Sequence, residues 1–253
     1  MSQIPVALQL YSVRDDAARD LPGVLQSVAR MGYDGVEFAG YYGYDAVTLK
    51  KMVDDLGLKV AGAHVPFDML LGDRLQESID FHRTIGNEFL IVPWLNTEYR
   101  NSTEALQKTA EIFNGIATAL AQHGMKTGYH NHDFEFKPLV EGGELPWDTF
   151  FGQTTPDVIM QFDTGNALHA GADARPFIGR YPGRALSVHL KEFSSTNPSA
   201  LIGEGDVAFP EIFSLCETVG GTRWYVVEQE TYAYPPMECV ERCLRNLERL
   251  RQS

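Results

Sequence analysis

The strongest constraint on this chain is a repeated order: an amphipathic helix, a glycine, then a short apolar strand. It recurs at Gly32, Gly57, Gly86, Gly124 and Gly220. Leu49, Met52, Val53 and Leu56 have helical spacing, as do Leu106, Ala110, Phe113, Ala117 and Leu120. Strands are predicted over 6–10, 35–38, 58–63, 89–92, 126–129, 158–162, 185–188 and 224–227. These runs are nearly continuous in apolar residues, as parallel strands covered on both faces are. Eight such alternations predict an α/β fold, a (β/α)8 barrel formed as a single domain over residues 1–253. A doubly wound open sheet would carry a glycine fingerprint after its first strand, and Tyr11-Ser12-Val13-Arg14-Asp15-Asp16 contains no glycine. The first helix is expected to start at Asp20 as N-cap, with Pro22 in its first turn. A Gly/Pro-rich stretch over 138–146 interrupts the pattern.

Composition narrows the partners. The formal net charge is −13, from 21 basic and 34 acidic residues, which opposes binding to nucleic acid or to a membrane surface. No apolar run approaches the roughly 20 residues of a membrane span. Met1-Ser2-Gln3-Ile4-Pro5 lacks a basic n-region, so no signal peptide is expected. Cys216, Cys239 and Cys243 form no framework of spacings and read as free thiols. A cytoplasmic location follows as the expectation, and a homo-oligomer is compatible with it.

The predicted strands end on polar residues. In a barrel all strand C-termini open on one mouth, where residues distant in sequence converge. Strand one leads to Tyr11 and Arg14, strand two to Glu37, strand three to His64 and strand four to Trp94. Strand five leads to His130, His132 and Glu135, and strand six to Asp163 and Asn166. Strand seven leads to His189 and Lys191, and strand eight to Glu228 and Glu230. Carboxylates with an imidazole suit one divalent ion, Mn²⁺ first, and Mg²⁺, Co²⁺ or Zn²⁺ after it.

The segments 8–15, Gly32-Tyr33-Asp34-Gly35-Val36-Glu37-Phe38, Tyr129-His130-Asn131-His132-Asp133-Phe134-Glu135-Phe136, Asp163-Thr164-Gly165-Asn166, His189-Leu190-Lys191, Gly203-Glu204-Gly205 and Val227-Glu228-Gln229-Glu230 resemble the sugar phosphate isomerase/epimerase family, within the xylose-isomerase-like TIM-barrel superfamily. The resemblance runs the length of the chain. It implies one divalent metal held by Glu135, Asp163, His189 and Glu228. It also implies a small sugar or keto-sugar substrate, isomerised or epimerised through a metal-stabilised enediolate, with Glu135 and Glu228 as base and acid. The strand-five ligand is open between Glu135 and His130. Glu135 is favoured because an oxygen ligand suits a keto-sugar site, and His132 or Lys191 would replace it in catalysis if it is not the one. His64, Trp94, His130, His132, Asn166 and Lys191 are the expected substrate contacts.

Other roles are open for several of these residues. Asn166 could be a helix N-cap, Glu37 and Arg14 an ion pair, and Trp94 either core or a sugar platform. His82, His123 and His169 read as surface or cap positions, and Gly203-Glu204-Gly205-Asp206 as a tight turn. The competing function is a lyase at the same metal, as in inosose dehydratases or enzymes that cleave 3-keto-glycosides, since proton removal beside a ketone begins both reactions. A DNA-repair endonuclease would need a more His-rich cluster and a grip on phosphates. A non-catalytic binding module would be indifferent to metal.

Overall fold

Eight parallel strands close on themselves in chain order, with the last pairing back to the first. They are β1 (Val6–Gln9), β2 (Gly35–Ala39), β3 (Lys59–His64), β4 (Phe89–Val92), β5 (Lys126–His130), β6 (Ile159–Asp163), β7 (Ser187–Leu190) and β8 (Trp224–Val227). The helices around them are α1 (Arg14–Met31), α2 (Ala46–Asp55), α3 (Arg74–Ile85), α4 (Thr103–Ala121), α5 (Pro146–Gln153), α6 (Thr164–His169), α7 (Ala174–Arg180), α8 (Phe209–Leu215) and α9 (Pro236–Leu250). This is the expected (β/α)8 barrel. The computed structural model describes residues 3–139 and 143–252, so Met1 and Ser2 of the N-terminal segment and 140–142 of the Gly/Pro-rich stretch lie outside it. Among the described residues no helix is long and apolar enough to cross a membrane.

Helix boundaries follow local chemistry. Gly32, Gly57, Gly86 and Gly124 all have positive φ and end their helices, as the repeated pattern implies. At the fifth recurrence the left-handed residue is Gly221 (φ 67°), after a wide turn over Cys216–Gly220. Asp20 does cap a helix, its Oδ1 accepting from the Gly23 N–H at 3.0 Å. However, a further helical stretch from Arg14 precedes it, and the break at Asp20 (φ −156°, ψ 76°) joins the two.

Two apolar regions divide the work. The larger lies between strands and helices and includes Leu8, Val36, Phe113, Phe162 and Leu244. The smaller plugs the barrel's N-terminal end with Ala7, Ala61, Phe89, Ile91, Ile159, Trp224 and Val226. Strand side chains alternate between these faces, so moving two residues along a strand climbs one level inside the barrel. Above the apolar plug comes a polar level of Gln9, Glu37, Gln161 and Ser187, all buried. Two residues beyond Gln161 and Ser187 stand Asp163 and His189. The interior thus passes from hydrocarbon through amides to ionisable groups as it approaches the mouth.

Candidate metal centre

At the mouth His130, Asp163, His189 and Glu228 each present one ligand atom, and all four atoms lie within 4.8 Å of one another. All four residues are buried. Asp163 is paired with His189 in the β6/β7 register. Glu228 directly follows β8, with its Oε2 2.8 Å from His189 Nδ1. His130 Nε2 is 4.0 Å from Asp163 Oδ2.

The level beneath decides which ring nitrogens face this group. Glu37 Oε2 lies 2.6 Å from His189 Nε2, and Gln161 Oε1 lies 3.2 Å from His130 Nδ1. Each acceptor takes the N–H of one ring nitrogen and leaves the other nitrogen toward Asp163 and Glu228, the arrangement that metal-ligating histidines use. The acceptors are themselves fixed. Glu37 accepts from Gln9 Nε2 and Gln161 Nε2, each at 2.7 Å, and Gln161 Nε2 also donates to Ser187 Oγ at 3.0 Å. His64 Nε2 donates to Gln161 Oε1 at 2.8 Å, and its ring stacks on His189 with centroids 5.3 Å apart.

Charge in the group is unevenly held. Burial alone would lower the His189 pKa, but Glu37 and Glu228 on its two nitrogens raise it to about 10. Burial pushes the Asp163 carboxyl up to about 7 against the pull of Lys191. Burial acts the same way on Glu228, where Lys191 and His189 outweigh it and hold the carboxylate well below its usual range. Asp163 Oδ1 accepts from the Asn166 N–H at 2.6 Å, whereas Oδ2 is buried without a hydrogen-bond partner. An orphaned carboxylate oxygen is costly in a protein interior. Facing two imidazole nitrogens and a second carboxylate, it fits a divalent cation with mixed N/O ligands.

The strand-five position departs from the favoured expectation. His130, not Glu135, stands in the donor group. Glu135 lies beyond the strand on a tight turn and is turned away, its Oε1 taking the Tyr129 hydroxyl and its Oε2 the His132 N–H at 2.8 Å. Burial raises its pKa to about 7. Glu135 therefore shapes the bend that carries His132. Nor does Asn166 cap α6: Asp163 does, leaving Asn166 Oδ1 to accept from Lys191 Nζ at 3.0 Å. Glu37 and Arg14 form no ion pair: Glu37 is sealed inside, and Arg14 donates to Tyr11 O and to the Tyr232 hydroxyl.

The remaining expected residues form the surroundings. Lys191 also pairs with Glu230 and stays protonated, since burial lowers its pKa less than Asp163, Glu228 and Glu230 raise it. His132 is half-buried, and this burial lowers its pKa to about 4, while its Nδ1 has no partner. Trp94 stands at the rim, edge-on to His132 at 4.9 Å. His123 and His169 are exposed, as expected, but His82 is buried. Glu192 accepts from the Gly203 and Val207 N–H groups and holds the expected turn between them. Gln9, Gln161 and Ser187 escaped the sequence reading, although period-two counting back from Asp163 and His189 reaches the last two.

A closed barrel with a mixed nitrogen and oxygen donor group at its C-terminal mouth defines the class. Residues 25–250 match the model of the xylose isomerase-like TIM barrel, and the chain belongs to that family. It is 24% identical to an inosose dehydratase of Erwinia tasmaniensis over 246 residues, 82% of this chain and 81% of that protein. The crystal structure of a sugar phosphate isomerase/epimerase from Parabacteroides distasonis superposes with a TM-score of 0.85 at 25% identity, covering 98% of this chain and 94% of the other. An L-ribulose 3-epimerase structure shares the fold, with a TM-score of 0.70 at 15% identity over 99% of this chain and 96% of that one. By name these three relatives are a dehydratase of an inosose, a sugar phosphate isomerase/epimerase and a ribulose epimerase.

Proposed function

We propose that this protein is a divalent-metal-dependent lyase that removes the proton beside the carbonyl of a keto-sugar or keto-polyol and expels a β-oxygen. The observation that carries this reading is the placement of Glu135. Inverting a carbon by proton exchange needs acid–base groups on both faces of the substrate, and the strand-five carboxylate that would serve one face is committed to Tyr129 and the His132 N–H. Elimination needs one base and one proton donor. The likeness to inosose dehydratase over most of both chains supports the same choice.

His130, Asp163, His189 and Glu228 are the residues that would hold the ion. When bound, such an ion supplies Lewis acidity that makes the C–H beside a carbonyl more acidic. The neutral His132 ring, which lines the cavity, takes the proton. As the C–H electron pair becomes the new C=C bond, the C–O bond at the β-carbon breaks. The departing oxygen takes a proton relayed from Lys191 Nζ through its partner Glu230, which lines the cavity. With a hydroxyl as leaving group the net loss is one water. Solvent restores the two proton states.

Sugar isomerisation or epimerisation is the second reading, favoured by the likeness to the isomerase/epimerase structure. It would need Glu228 to carry a proton opposite His132 while also holding the ion. Metal analysis and a keto-sugar and inosose panel run in D₂O separate the two. Loss of water from the product supports the lyase, whereas deuterium at one carbon with the formula otherwise unchanged supports the epimerase. Glu228→Gln is expected to abolish turnover, and His132→Gln to lower it about 10²–10⁴-fold. Unchanged turnover in Glu228→Gln rules out both.

A further inference from the structure

His130 and Glu228 of the donor group line the floor of a cavity of about 720 Å³, a size typical of small-molecule sites. On one side its wall is apolar, built by Tyr11, Tyr41, Pro66, Met69, Pro93 and Trp94 from the segments that follow β1 to β4. Tyr11 is 43% exposed and Trp94 48%, two of the few large apolar side chains exposed among the described residues, and both face this one cavity. The wall is also braced from behind. The Arg100 guanidinium lies 5.1 Å from the Trp94 ring and 3.9 Å from Phe134, which meets Trp94 edge-on. The Tyr41 hydroxyl is bonded to His82 Nε2 at 3.1 Å, and its ring packs on Phe81 at 4.3 Å. Arg14 lies 4.5 Å over the Tyr11 ring. Aromatic rings held in place before a ligand arrives lose little entropy on binding it.

The charged lining of the cavity consists of Glu228 and Glu230, and neither lysine nor arginine joins them. A phosphate entering here would meet carboxylates. From floor to rim the rings run His130, His132, Trp94, with neighbouring centroids 5.3 Å and 4.9 Å apart. A sugar ring reaching the donor group would therefore place a substituent against Trp94.

We infer that the substrate is an uncharged glycoside or similarly substituted keto-sugar, whose flat apolar group occupies the wall of Tyr11, Tyr41, Met69 and Trp94 while its sugar ring faces the donor group. This rests on the keto-sugar reading above, and it adds the substituent and excludes the phosphate.

The test is binding to the full chain loaded with Mn²⁺, read by calorimetry so that no turnover is required. The probes are the phenyl and methyl β-D-glucopyranosides, the same pair of galactosides, and glucose 6-phosphate. In at least one pair the phenyl glycoside should bind about tenfold more tightly than the methyl, the scale of one aromatic contact with its buried area. Trp94→Ala should erase most of that preference and Trp94→Phe should keep it, with unfolding temperatures unchanged because Trp94 lies at the rim. Equal affinities in both pairs, no binding by any glycoside, a preference that survives Trp94→Ala, or tighter binding of glucose 6-phosphate each overturn the inference. Deuterium exchange with the keto-sugar panel is followed on the same preparations. Exchange without a phenyl preference removes the subsite alone, and a phenyl preference without exchange removes the proton-transfer reading alone.

Discussion

Glu37 and His82 show how a buried side chain serves this mouth without touching substrate. Glu37 is fully buried and accepts from three side chains, one of them His189 at Nε2. Glutamine there would set an NH₂ against donors and loosen the orientation of His189. Glu37→Gln should therefore weaken Mn²⁺ binding about 10–100-fold, measured by competition with a chelating dye, and Glu37→Asp should recover part of it. His82 is buried and accepts from Asn87 Nδ2 at Nδ1, 2.9 Å away, so its Nε2–H donates to the Tyr41 oxygen. Burial lowers its pKa from 6.5 to about 4. A lowered folded-state pKa on a base means that the unfolded chain binds the extra proton first. The stability this neutral ring contributes is complete above pH 6.5 and is lost as pH falls toward 4. The loss amounts to about 3 kcal/mol by the end of that range. Urea unfolding of wild type and His82→Gln across pH 4.5–7.5 reads it. The variant should show the shallower pH slope, and parallel slopes would remove His82 as the cause.

At the scale of elements, strand β2 shows why spacing alone could not place Glu37. The β2/β3 register shifts between Val36 and Glu37, passing over Ala61, so that Glu37 comes opposite Gly62. Such bulges re-aim a side chain. A Cβ at Gly62 would lie 2.6 Å from Glu37 Oε1, so this glycine leaves the room that the carboxylate occupies. Gly62→Ala should displace Glu37 and weaken Mn²⁺ binding in the same direction as Glu37→Gln, while circular dichroism shows the barrel retained. Unaltered affinity would mean that Glu37 has another place to go. The helices were more legible than this strand. Periodicity and terminal glycines identify α2 and α4 directly, because both signals are local. The bulge is a property of two strands at once, and a single run of residues does not carry it. The extra helical stretch from Arg14 was hidden for a related reason: Asp20 and Pro22 announce the start of one helix and are silent on another that precedes it.

For the whole molecule, eight strands in chain order bring Asp163, His189 and Glu228 to one mouth, and that convergence was legible because topology alone enforces it. The choice between His130 and Glu135 was not, since it depends on where β5 ends and on the Tyr129 hydroxyl that claims Glu135. The convergence has a thermodynamic consequence. The fold buries Asp163 and Glu228 together and leaves Asp163 Oδ2 without a partner, a cost that a bound divalent cation would offset. An ion that binds only the folded chain stabilises it by about 2.7 kcal/mol at a hundred times its Kd. For a chain of this size that raises the unfolding temperature by about 5–10 °C. Asp163→Asn separates a ligand from a structural aspartate. It keeps an oxygen for the Asn166 N–H and removes the orphaned anion. In EDTA its unfolding temperature should equal or exceed that of wild type, and in Mn²⁺ it should fall below, because the variant gains little from the ion. An aspartate that merely supports α6 would lower both temperatures by the same amount, and that result would remove the metal from this mouth.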